Sequence, residues 1–409
     1  MEEGALIKLI VKRKTMLILP QTYINQLVFL VLILSPINGY SELKPLDDST
    51  LSEVTGQAFV AVDQNSYDNI SYTTITMGMD IETQLNVDTV ELGNYEREGE
   101  AAGSSDILIN NLSLGYIYDD SYYQLNSKAV QPIKDDGSSY SNGEIVPFNI
   151  TDPYIEFATD DTSGDIIGVR LGFGEAQGVL SGDILSLTGN INVEILDTGE
   201  GLSSASSSGN LADELIVLLT PLLEGDSALS TTAQLVNSDG ELDPIRASLV
   251  GVPNGDTFVL NEASGFTRWS LNLIGDLSTS NITLPGCSFF SCPGGDIVIE
   301  TQDCSVLGVD ACYDLSSYNS LPIGEVTETN GNRYLTDSSE GLFLSFQTQD
   351  MPWLNSPTSD SATADNFIQT RSGAFLNIPN EAITVNLGDA MNGIDRVKTE
   401  YIDRGIGLF

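Results

Sequence analysis

Residues 73–87 read TTITMGMDIETQLNV, in which Ile75, Met77, Met79 and Ile81 share one parity with threonine, glycine and aspartate between them. Apolar side chains at every second position can bury one face of a strand but no face of a helix, and this period constrains the fold more than any other feature. It recurs along the chain. In residues 106–118, DILINNLSLGYIY, Ile107 and Ile109 lie on one parity and Leu112 and Leu114 on the other, which places a bulge or short turn at Asn110 and Asn111. Segments 154–158 and 166–172 flank TDDTSGD, a hairpin signature. Further on, Gly178, Gly182 and Gly189 punctuate short apolar runs, and glycine at such bends marks strongly curved antiparallel sheet. The expected fold is mainly β: curved antiparallel sheets, sandwich-like or open as a groove, with two or more packed helices. Ile184, Leu187, Ile191 and Val193 then either close a core or line a groove.

Two stretches break the alternation. In NLADELIVLLTPLLEG, Asn210 can cap a helix, Asp213 and Glu214 suit its first turn, and Pro221 ends or kinks it. In residues 262–277, Phe266, Trp269, Leu273 and Leu277 recur at helical spacing. Neither has a basic face, so both are expected to pack on sheet and not on a membrane. A further short helix is expected near residues 389–391. Residues 119–143 read as a long surface loop, and GEGLSSASSSGN at 199–210 as a linker. The expected organisation is a leader over 1–41, a β-rich domain over 42–198, and a helix-containing β-rich domain with the cysteine cluster over 199–409.

The leader follows from Lys12, Arg13 and Lys14, then the apolar run LVFLVLIL at 27–34, then Gly39-Tyr40-Ser41 with small residues at −3 and −1 of a cut before Glu42. The apolar run is too short to span a bilayer, which takes about 20 residues. No later segment reads as a transmembrane span. An exported chain meets an oxidising compartment, and its four cysteines, Cys287, Cys292, Cys304 and Cys312, are expected as disulfides. Of the three possible connectivities, Cys287 with Cys292 and Cys304 with Cys312 close the shortest loops. A four-thiolate zinc ribbon is the rival, but it prefers two-residue spacings.

After the leader comes PLDDSTLSEVTGQAF. Thr50 and Glu53 form a capping box, Leu46, Leu51 and Val54 can share one face, and Gly56 supplies a stop. The same segment has the spacing of a double-glycine leader, with Gln57 in place of the second glycine. It bears a closer resemblance to an uncharacterised family of exported gamma-proteobacterial proteins, some of whose members are described as Fil-type pilus-system components. The matching motif is L-x-D-x-x-L-S-x-V-T-G-Q, carried here by Leu46, Asp48, Leu51, Ser52, Val54, Thr55, Gly56 and Gln57. Similarity extends through residues 169–193, 287–299 and 400–409. The resemblance implies export to the periplasm or surface of a Gram-negative cell, and it implies no reaction.

Chemistry is constrained by elimination. The chain has no histidine, which removes Ser–His–Asp and Cys–His hydrolysis, HExxH zinc proteases and His-ligated metal centres. GFGEAQG at 172–178 has the wrong spacing for a dinucleotide loop and lies among strands. Acidic loops at 135–137, 160–165 and 238–243 offer oxygen ligands, but none has the order of an EF-hand. With 16 basic and 58 acidic residues the formal charge is −42, which repels phosphate and argues against nucleic-acid binding. The expectation is a non-enzymatic envelope protein with no catalytic residue, metal or cofactor. Its partner would be another protein or further copies of itself, in a pilus-like or adhesive system. The alternative is a periplasmic carrier holding a hydrophobic ligand or lipid in a curved sheet.

Overall fold

The alternating segments pair in one continuous order. In the computed structural model, which describes residues 8–10, 60–94, 104–134, 136–197, 228–274, 281–288, 291–306, 309–355 and 366–400, the first strands are Val60–Tyr67 (β1), Ile70–Met77 (β2), Asp80–Leu92 (β3) and Ile107–Leu114 (β4). Next come Phe148–Asp160 (β5), Ile166–Leu187 (β6), Gly189–Asp197 (β7) and Ala228–Val236 (β8). The later ones are Thr257–Ala263 (β9), Gly295–Glu300 (β10), Phe343–Gln347 (β11), Met351–Leu354 (β12), Phe367–Thr370 (β13) and Gly373–Val385 (β14). Across the main sheet the order is β1, β2, β5, β6, β11, β14, β7, β8, β9, β10. The β14–β7 pair is parallel and the other pairs in this order are antiparallel, so the sheet is mixed.

Two long strands bend the sheet on itself. β6 pairs along its first half with β5 and β11 and along its second half with β4. β3 begins on β5 and ends on β4. Where β6 crosses over, its register with β4 shifts twice, and Asn111 sits opposite with φ of 52°. This is the bulge that the parity change at Asn110 and Asn111 announces. Each added residue tightens the local twist and lets one strand serve two sheets.

The main core fills the bend. It includes Ile184, Leu187, Ile191 and Val193, which are 2%, 0%, 1% and 7% exposed, so they belong to a closed core and line no groove. The core also takes side chains from β4, β8, β9, β10 and β14, running across residue 198 in sequence. The 198–227 segment itself, with the helix expected after Asn210, lies outside the described residues, as do the 46–57 motif and nearly all of the leader. Of residues 1–41 only 8–10 are described, laid antiparallel against residues 82–84 of β3.

Three helices complete the described chain: Asp120–Leu125 (α1), Gly265–Ile274 (α2) and Leu387–Asn392 (α3). Asp119 caps α1, and Asn386 caps α3 by accepting from Asp389 N. α2 corrects the expectation for 262–277: Phe266 and Trp269 face solvent, at 63% and 39%, while Leu271 and Arg268 turn inward. Buried Arg268 donates to the carbonyls of Pro285 and Pro293, both at 2.5 Å, and so clamps the loop closed by the Cys287–Cys292 disulfide. A second disulfide joins Cys304 to Cys312.

Residues 119–143, expected as bare loop, carry α1 and a tyrosine cluster. Tyr116 and Tyr123 share a hydroxyl hydrogen bond of 2.6 Å, and Tyr118 stacks on Tyr123 and Tyr140. Burial pushes the phenols of Tyr116, Tyr122 and Tyr123 upward. The folded protein therefore keeps protons that the unfolded chain gives up above about pH 10. Stability is full below that pH and falls as pH climbs beyond it. Absorbance of tyrosinate at pH 11 should be clearly lower for native protein than for protein in urea.

Candidate functional site

The two faces of the β1–β2–β5–β6–β11–β14 half-sheet have exchanged their usual roles. Cross-strand partners share a face, and one row reads Val62, Ile75, Ile155, Leu171, Leu344, Leu376 across six strands. The next row contributes Phe157, Val169 and Phe346. These apolar side chains are not covered. Val62 is 61% exposed, Leu171 42% and Phe346 37%, and the others are half-buried. At its inner end the face merges with the main core through Leu344, Leu376 and Phe173.

The opposite face holds charge, and it is sealed. Glu156 and Arg170 are direct cross-strand neighbours, both with 0% exposure. Arg170 Nε donates to Glu156 Oε2, Arg170 Nη1 donates to the Leu354 carbonyl at 2.5 Å, and Thr74 Oγ1 donates to Glu156 Oε1 at 2.7 Å. The rings of Tyr154, Phe343 and Trp353 surround the guanidinium with centroids 5.0–5.2 Å away. The β12–β13 hairpin supplies Trp353 and closes the layer. Sequence makes room for it: Arg170 stands between Gly168 and Gly172, where a Cβ would fall 2.8 Å from Trp353 and 2.2 Å from Tyr154.

Beside the open face, the sheet ends in an unpaired edge. β1 pairs with β2 in an unbroken register from Val60 opposite Met77 to Tyr67 opposite Ile70, and among the described residues it pairs with nothing else. Acids gather where β3, β5 and β6 meet. Asp80 and Glu175 flank Asp152, whose carboxyl is raised by partial burial first and by these two neighbours second. Two of the described cations are consumed inside, Arg170 by Glu156 and Arg246 by Asp106, while Arg371 pairs with Asp350 and Lys134 with Glu144 toward the surface.

The residues singled out from sequence lie elsewhere. The disulfides sit at the far end, around β9, β10 and α2, and Asp160 of the acidic hairpin turn spends its carboxylate on the backbone N–H groups of Thr162 and Ser163. GFGEAQG lies wholly within strand β6. Among the described residues no helix is long and apolar enough to cross a membrane, and no cluster of three or more acidic or cysteine side chains could hold a metal ion. The open face was missed because alternation marks two faces without saying which one water reaches.

A model for a family of unknown function, DUF6160, matches residues 22–121, a span that covers the 46–57 motif and the strands β1 to β4. Neither the curated proteins nor the solved structures yield a match.

Proposed function

We propose that this is a non-catalytic, exported envelope protein that works by contact, docking a protein partner on the open apolar face of its sheet. The row from Val62 to Leu344 carries this reading, because contiguous exposed apolar surface on a folded domain marks an interaction site. The leader and the two disulfides support export, and the resemblance of residues 46–57 supports a role in a pilus-like or adhesive assembly. A carrier role has one observation in its favour, the continuity of the face with the core. Carriers, however, enclose most of their ligand. The cavities of about 340 and 330 Å³ have mixed polar and apolar linings and do not include the row residues.

The test is Leu171→Glu combined with Phe346→Glu. Both side chains are exposed, so the variant should keep its circular dichroism and thermal midpoint. It should lose Nile red fluorescence enhancement and be released from the envelope fraction that retains the wild type. Equal retention of both proteins would sink the docking reading. Native mass spectrometry of envelope-purified protein showing stoichiometric lipid would favour the carrier instead.

A further inference from the structure

We infer that the partner engages by adding an extended strand to the outer edge of β1, unpaired among the described residues, and that this strand carries apolar side chains on one parity and lysine or arginine on the other. The inference rests on the docking reading and specifies its geometry. Edge strands in stable monomers are blunted by proline, lysine, a bulge or brevity. β1, with the sequence VAVDQNSY, is eight residues long, contains neither proline nor lysine, and keeps its register throughout. Its backbone donors and acceptors on the outer side are a ready template for pairing.

Side-chain parity defines the first half of the partner's chemistry. Val60 and Val62, 47% and 61% exposed, point to the apolar face, where they begin the row that continues through Ile75 and Ile155. A strand added outside β1 would extend that row by one position, so its residues beside Val60 and Val62 should be apolar. On the other parity β1 presents Ala61, Asp63 and Asn65, whose neighbours on β2 are Thr76, Thr74 and Tyr72. Added residues there meet carboxylate and amide.

Charge defines the second half. No lysine or arginine lies on β1 or β2, while Asp63, Asp68, Asp160 and Asp161 line that end of the sheet. With a formal charge of −42, a second copy of the chain is repelled, which disfavours self-pairing through this edge. A basic extended segment of another protein is attracted over a distance and then held by main-chain hydrogen bonds.

The probe is a short fluorescent peptide of alternating valine and lysine, with a valine–glutamate peptide and a blockwise lysine–valine scramble as controls. Anisotropy should show saturable binding of the first peptide alone, weakened by added salt. Val62→Lys places a charge in the apolar row at the edge, where the added strand's valine would pack and its lysines would be repelled, and should weaken binding by about ten-fold or more. A Phe266→Ser variant, altered on the exposed side of α2 and away from the apolar face, should bind the peptide as the wild type does. Hydrogen exchange should slow within residues 60–67 on binding. Binding insensitive to Val62→Lys, binding lost in the distant variant, or no protection at 60–67 would each overturn strand addition. Docking on the face would then stand or fall by its own envelope-retention test. Absence of binding by the valine–lysine peptide likewise overturns this inference alone.

Discussion

Arg170→Met should cost about 3–5 kcal/mol of stability, read as a lowered urea midpoint, because it leaves the Glu156 carboxylate buried without its cation. Methionine fills much of the same volume and suits the three rings around it, so the loss reports charge more than packing. Glu156→Gln should cost less, since the amide oxygen can still accept from Thr74 or Arg170. The informative variant is the double one. Arg170→Met with Glu156→Met removes both desolvation penalties and should recover most of the single-variant loss. A double variant no more stable than Arg170→Met would show that the layer depends on the Leu354 hydrogen bond and ring contacts. The hairpin β12–β13 is the element at stake. Its Trp353 indole and Leu354 carbonyl meet the guanidinium directly, so hydrogen exchange in residues 351–354 and 367–370 should accelerate in Arg170→Met and recover in the double variant.

The same pair explains what the sequence discloses and what it conceals. Strands, the hairpin at 160–165 and the bulge at Asn110 and Asn111 are all legible, because period-two alternation and turn chemistry are local properties. The faces are not. Along 154–158 and 168–172, alternation alone would bury Ile155, Phe157, Val169 and Leu171 and leave Glu156 and Arg170 in water. The structure does the opposite, because Glu156 and Arg170 find each other across β5 and β6 and a hairpin almost two hundred residues later covers them. That burial is a long-range event with no local signature. Only the Gly-x-Arg-x-Gly spacing at 168–172 hints that something bulky must lie against this strand. The helix expected over 262–277 is present at Gly265–Ile274, and only its facing differs. Its periodic residues suggest a buried stripe, yet Arg268 takes the inner position because two proline carbonyls await it.

Asp106→Ala should be the other strongly destabilising change, again about 3–5 kcal/mol, and its cause is a knot of four chain segments. Asp106 has 0% exposure; its Oδ1 accepts from Arg246 Nε at 3.1 Å and Thr188 Oγ1 at 3.4 Å, and its Oδ2 accepts from Ala374 N at 3.0 Å. Alanine removes every one of these acceptors, withdraws the carboxylate from a largely buried guanidinium and takes the acceptor from a buried backbone N–H. Asp106→Asn keeps one carbonyl oxygen and should lose distinctly less. A buried pair is weakly screened, so the difference between the two variants should persist in high salt. The consequence reaches the open face. Ala374 lies on β14 directly opposite Phe346 of β11, and Asp106 accepts the hydrogen bond from its backbone N–H. Loss of the knot should therefore loosen β14 against β11 and raise hydrogen exchange in residues 343–347 before global unfolding. If Asp106→Ala instead unfolds in a single step with no early exchange there, the carboxylate supports the core as a whole and has no particular hold on the apolar face.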